Sequence, residues 1–252
     1  MKTEIIVIGT IHREHFEAKH YTAQVVKDII LALKPDAICV ELYSKHFDPD
    51  GTPKTEVLEG FKDCPEVQAV NEAAIELGVR QIPFDREGRD ELLAETNYFE
   101  REQKSSQEFQ EWMERLKEDA PESDDYRLGQ MLVAAMESQQ NMDRRATPDI
   151  INSDAFDAVI RIKHHLVLHI LPEVMGRYPE MEETADSWRL CAQMWEERNG
   201  IMAENLMRIA CEFVEGRLAV STGAEHRYIL RDLLKDNPGI VLREYWEVLP
   251  GK

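Results

Sequence analysis

No stretch of the 252 residues comes near the roughly 18 to 20 consecutive apolar residues of a membrane-spanning helix. The longest early apolar run, Ile5 to Ile8, is also far too short for a signal-peptide core. Positive charge is scarce as well. Thirty Lys and Arg stand against 49 Asp and Glu, a formal net charge of -19, so the average field repels phosphate backbones and anionic headgroups. Neither nucleic acid nor a membrane is therefore an expected partner. The four cysteines, Cys39, Cys64, Cys191 and Cys211, form no C-x-x-C pair and mostly fall in apolar periodic segments, where a thiol behaves as a small hydrophobe. That usage points to neither a disulfide framework nor a thiolate zinc site, and the expectation is a soluble cytoplasmic protein. No fixed-period repeat is present.

What is there is a globular composition. With 43% apolar residues, a chain of this length can bury roughly 70 to 75% of its unfolded surface. Residues 3 to 8 form a short β-branched run, the pattern of a strand buried on both faces, and Gly9 stops it. Tyr21, Val25, Ile29 and Leu33 recur at helical spacing up to Pro35, and Ala37 to Leu42 then reads as a second buried strand. Val67, Val70, Ala74 and Leu77 mark another helix closed by Gly78, and Val79 to Phe84 is a third strand leading into Asp85 and Arg86. From Glu91 to about Asp149 strand signals vanish. Helical patterns follow over 154 to 171 and from about Thr184 to Glu215. Arg217 to Thr222 supplies a further strand, Tyr228 to Leu234 a short helix, and Ile240 to Val248 an outer strand. The expected fold is α/β: a mostly parallel sheet built by residues 1–90 and 216–252, with a large central helical insertion and a long helix packed on that core over 91–215, all within one domain.

Ligands of an open parallel α/β sheet bind outside the carboxyl ends of its strands. That rule selects His12 after the first strand, Glu41 after the second, Asp85 after the third and His226 after the fourth. Gly9 to His12 and Gly223 to His226 repeat one G-x-x-H pattern, and Gly9 and Gly223 suit tight turns that let a backbone approach a cofactor. Imidazole with carboxylate is a ligand set for Zn, Mn, Co or Fe, so His12, His226 and Glu41 are the candidate metal ligands. Glu41 is the most informative, because it follows an otherwise dry strand and a buried carboxylate costs several kcal/mol unless paired or coordinated. Glu41, Asp85 and Arg198 are the candidates for catalysis. Arg198 enters by periodicity, falling on the apolar seam of a long helix between Trp195 and Met202, where a guanidinium requires an anion such as Glu41, Asp85 or substrate. His15, His20 and His46 are secondary candidates, and His12 to His15 has the wrong spacing for H-E-x-x-H. His165 and His169 read as an exposed helical face.

Five short segments in order carry a family resemblance: Ile-Val-Ile-Gly-Thr-Ile-His at 6–12, Val-Glu-Leu at 40–42, Asp85-Arg86, Glu-Arg-Asn at 197–199 with Met202-Ala203, and Val-Ser-Thr-Gly-Ala-Glu-His at 220–226. Together they resemble the TraB/PrgY/Tiki superfamily, which also takes in GumN, erythromycin esterase and ChaN-like proteins. The resemblance implies an α/β fold with a helical insertion and a site made by the two G-x-x-H histidines and the glutamate. In the Tiki branch it implies a divalent-metal-dependent peptidase. Residues 91–180 lie outside it. The expected activity is thus metal-dependent hydrolysis of a peptide, amide or ester bond in a peptide or small-molecule substrate. The competing expectations are a non-catalytic crevice for haem or another small ligand, and a regulatory protein.

Overall fold

The computed structural model describes residues 1–62 and 64–249. It forms two compact units: residues 1–87, 142–157 and 199–252, and residues 88–141 and 158–198. Residues 142–157 and 199–215, which the sequence groups with the helical insertion and the long helix packed on the core, belong to the first, sheet-containing unit.

That unit is α/β, with five parallel strands: Thr3–Thr10 (β1), Ala37–Val40 (β2), Arg80–Pro83 (β3), Arg217–Gly223 (β4) and Ile240–Arg243 (β5). Their order across the sheet is β3-β2-β4-β1-β5. β1 and β2 carry almost unbroken apolar runs because both their faces are covered. One face, carrying Ile5, Val7, Ala37, Cys39, Leu218 and Val220, packs on Met202, Leu206 and Ile209 and on Leu230 and Leu234. Those residues come from the Glu182–Glu212 and Ala224–Leu234 helices. The Ala23–Leu33 and Pro65–Leu77 helices pack on each other, and the second of them reaches β2 and β3. Each helix start has a local cause. Thr22 accepts a hydrogen bond from the Val25 N–H, and Pro65 occupies the first turn of its helix, where its missing N–H costs nothing.

The last expected strand, Ile240 to Val248, is only half strand. β5 ends at Arg243 because Glu244 and Glu247 form a reciprocal capping box that starts the short Tyr245–Val248 helix. β5 does lie at the sheet edge.

The second unit is helical, with its own core of Phe109, Trp112, Leu116, Leu132, Leu171, Met175 and Trp188. The expected helical pattern over 154–171 is broken: regular helix runs from Asp154 to His165, and a wider π turn covers Leu166–Ile170. Among the described residues, no helix is long and apolar enough to cross a membrane.

Candidate functional site

Strand order brings the two G-x-x-H segments together. β1 and β4 are neighbours in register, with Gly9 opposite Thr222 and Thr10 opposite Gly223, so His12 and His226 leave the same end of adjacent strands. β2 flanks β4 on its other side with Val40 opposite Ser221, which sets Glu41 beside Thr222. Glu41 Oε2 accepts hydrogen bonds from Thr222 Oγ1 and from the Gly223 N–H, both at 2.7 Å. The carboxylate is thus held at the amino end of the Ala224–Leu234 helix, where the backbone dipole favours negative charge. Its other oxygen, Oε1, lies 3.5 Å from His226 Nε2.

His226 is buried, and its Nδ1 is 2.7 Å from Asn199 Oδ1. Because that oxygen only accepts, the Nδ1 proton is fixed there and Nε2 is the nitrogen turned to Glu41. Asn199 is fully buried and is the residue of the Glu-Arg-Asn segment that enters this site. Asp85 is also buried. Its N–H donates to the Leu42 carbonyl at 3.0 Å and its Oδ1 accepts from the Arg86 N–H at 2.7 Å, which keeps it alongside the end of β2. Arg198 falls in the second unit, half-buried, where its charge acts on the Tyr98 phenol.

His12 sits in the left-handed backbone region at φ 48°, a conformation disfavoured for non-glycine residues and typical of sites where surrounding structure holds a side chain in place. Its Nδ1 is 2.6 Å from Glu66 Oε1. Its other nitrogen faces Gly223: a β-carbon added there would come within 2.7 Å of His12 Nε2 and 3.6 Å of Glu41 Oε2. Gly223 is therefore where the imidazole, the carboxylate and the strand end crowd together. The His12 side chain is half exposed, and the partial desolvation of its ring, which opposes a charge, is outweighed by hydrogen bonds with Cys64 and Glu66 and by the Glu41 and Glu66 charges, which raise its pKa. A metal ion bound by this ring replaces that proton.

Gly9 has a packing role. A β-carbon there would lie 3.0 Å from Ala224 Cα and 3.1 Å from its Cβ, so the bare backbone lets the following helix close on β1. The Gly9 N–H donates to Asn152 Oδ1 at 2.7 Å, and its carbonyl accepts from Tyr21 Oη at 2.6 Å. Gly9→Ala is expected to destabilise the protein by about 1 to 3 kcal/mol, because backbone and not a flexible side chain would have to give way. Thermal unfolding would check this, and an unchanged midpoint would show that the helix can shift freely.

Among the described residues, one group of three or more candidate ligands lies within mutual reach. It is His12, Cys64 and Glu66, with one ligand atom from each within 4.8 Å of the others. In the sequence Cys64 reads as a small hydrophobe, and no strand end or periodicity marks Glu66. Cys64 instead stands at the amino end of the Pro65–Leu77 helix and Glu66 lies in its first turn. The signal was short: a Cys-Pro-Glu string, with proline marking a helix start that puts both side chains at one helix end. Glu41 and His226 face each other instead of joining this group. The donor set suits a divalent transition-metal ion. All four cysteines are free, and Cys39 is in the core.

His15 is buried with both nitrogens used, one accepting from the Ile11 N–H at 3.1 Å and the other donating to the Tyr21 carbonyl at 2.5 Å, and burial lowers its pKa. His46 packs on the Tyr43 ring at 4.0 Å and His20 is exposed. His165 and His169 are exposed, with Glu196 3.4 Å from His169. Comparison of the chain with family models, with curated proteins and with solved structures finds no match.

Proposed function

We propose that this protein is a hydrolase acting on a peptide, amide or ester bond with the help of a divalent cation, Mn, Co or Zn. The carrying observation is the Glu41–His226 pair at the carboxyl ends of β2 and β4, with Nδ1 of His226 held by Asn199 and the carboxylate held by Thr222 and Gly223. Such a pair can take a proton from an attacking water and return it to the leaving nitrogen or oxygen as the scissile bond breaks. His12, Glu41 and His226 would hold the ion or its water. A bound cation would supply Lewis-acid polarisation of the carbonyl and a more acidic water. Asp85, buried beside the end of β2, would assist as a further ligand or base. The resemblance to the TraB/PrgY/Tiki superfamily supports a peptidase or esterase, and the net charge of -19 argues against phosphoester substrates.

The test is a panel of fluorogenic peptides and p-nitrophenyl esters, run with chelator and with each added ion. His226→Ala is expected to lower the cation-dependent rate by about 10²- to 10⁴-fold, the usual contribution of a proton-transferring side chain. Equal rates in both proteins, or no cation-dependent turnover across the panel, would remove this reading. A Soret band on the purified protein would favour haem binding in its place.

A further inference from the structure

We propose that His12, Cys64 and Glu66 form a thiolate–imidazole–carboxylate cation site that selects zinc-class ions, Zn²⁺ and Co²⁺, over Mg²⁺ and Mn²⁺. This ligand group is separate from the one His12, Glu41 and His226 would form and shares only His12 with it, through the other ring nitrogen; its link to hydrolysis rests on the reading above. The three ligand atoms already lie within 4.8 Å of one another, and modest side-chain adjustment brings them to the ~2.0 to 2.3 Å bond lengths of zinc. They come from two segments 52 to 54 positions apart in the chain, so tertiary packing, not helical repeat, assembles them.

Glu66 supplies the independent observation. It is 4% exposed, and only one of its oxygens is engaged: Oε1 meets His12 Nδ1 at 2.6 Å and Thr10 Oγ1 at 3.5 Å. The other, Oε2, is buried with no hydrogen-bond partner among the described residues. A buried ionised carboxylate oxygen without a donor is costly, and a coordinated cation is one of the few groups that removes the cost.

The donor chemistry sets the ion class. Mg²⁺ and Mn²⁺ favour all-oxygen surroundings, whereas a thiolate with imidazole and one carboxylate is the borderline-soft set that zinc and cobalt occupy. Three protein ligands also leave a fourth tetrahedral position open, the arrangement of zinc sites that keep a water or substrate. Because His12 turns Nδ1 to Glu66 and Nε2 to Gly223, the ring links this group to the Glu41 side of the strand ends.

The experiment is titration of the chelator-treated protein with Co²⁺, read by the near-ultraviolet sulfur-to-cobalt charge-transfer band and by competition with Zn²⁺, Mn²⁺ and Mg²⁺. Wild type should give the band, and Zn²⁺ but not Mn²⁺ or Mg²⁺ should displace Co²⁺. Cys64→Ser should lose the band while Cys191→Ser and Cys211→Ser keep it. His12→Ala and Glu66→Gln should each bind at least about 100-fold more weakly, since even outer-sphere partners of a metal cost 10- to 100-fold. Circular dichroism of every variant confirms that the fold is retained, and Cys64→Ala provides a second thiol-free variant. Binding of Co²⁺ without the band, or equal affinity in wild type and Cys64→Ser, would overturn the inference and leave the hydrolase reading standing. A Cys64-dependent band in a protein with no hydrolytic turnover would support the site and overturn the hydrolase reading alone.

Discussion

Glu41→Gln is expected to lose about 10²- to 10⁴-fold of the cation-dependent hydrolytic rate while melting at or above the wild-type temperature. The shape of the side chain is preserved. A glutamine oxygen can still accept from Thr222 Oγ1 and the Gly223 N–H, the two donors that hold Oε2 at 2.7 Å. What disappears is the charge facing His226 Nε2 at 3.5 Å, and with it the ability to take a proton or hold a cation. Removing a largely buried charge whose hydrogen bonds are retained is commonly neutral or stabilising, which is why rate and stability should part company. Stopped-time hydrolysis assays with thermal denaturation of the same samples decide the point. An unfolded variant would show that Glu41 is structural, and unchanged turnover would show that it takes no part in the reaction.

Arg227→Met is expected to destabilise the protein by about 3 to 5 kcal/mol, the usual cost of stripping one partner from a buried ion pair. Arg227 is fully buried on the Ala224–Leu234 helix. It bonds Asp157 with one guanidinium nitrogen and Glu244 with another, at 2.8 and 2.7 Å from the two Glu244 oxygens. Arg231, one turn on, reaches the same two carboxylates at 2.9 and 2.7 Å but is partly exposed. Without Arg227, Asp157 and Glu244 would share one arginine. At roughly 2 to 4 °C per kcal/mol for a protein of this size, the melting temperature should fall by about 6 to 20 °C. Arg231→Met, screened by solvent, should cost much less. Equal melting temperatures for wild type and Arg227→Met would refute the argument, and restoration of stability by adding Asp157→Asn and Glu244→Gln would support it.

This network also shows how residues 142–157 come to belong to the sheet-containing unit. Asp157 reaches Arg227, Asp149 reaches the Tyr245 hydroxyl, and Asn152 binds the Gly9 N–H. Each bond spans 70 or more positions of chain, so no local pattern announces it. A segment holding only the short Pro148–Ile151 helix and the first turn of the next reads in sequence as part of the insertion, since local periodicity is all that the local signal contains.

The strands were legible for a direct physical reason. A strand buried on both faces must be apolar at nearly every position, and β1 and β2 are short enough for that to show as an unbroken run ended by a glycine or a carboxylate. Residues that follow such runs in parallel strands all leave the same sheet end, so His12, Glu41, Asp85 and His226 could be grouped before any contact was known. The sequence alone thus determined the sheet, its parallel sense and the end at which polar side chains gather. Strand order was decided by tertiary structure, and it is strand order that lays β4 between β1 and β2 and sets Gly223 between His12 and Glu41. Tertiary structure likewise joined Cys64 and Glu66 to His12, and Asn199 to His226, because helices far along the chain dock by apolar faces that constrain their angle and register, while the polar residues at their ends are carried into place by that docking.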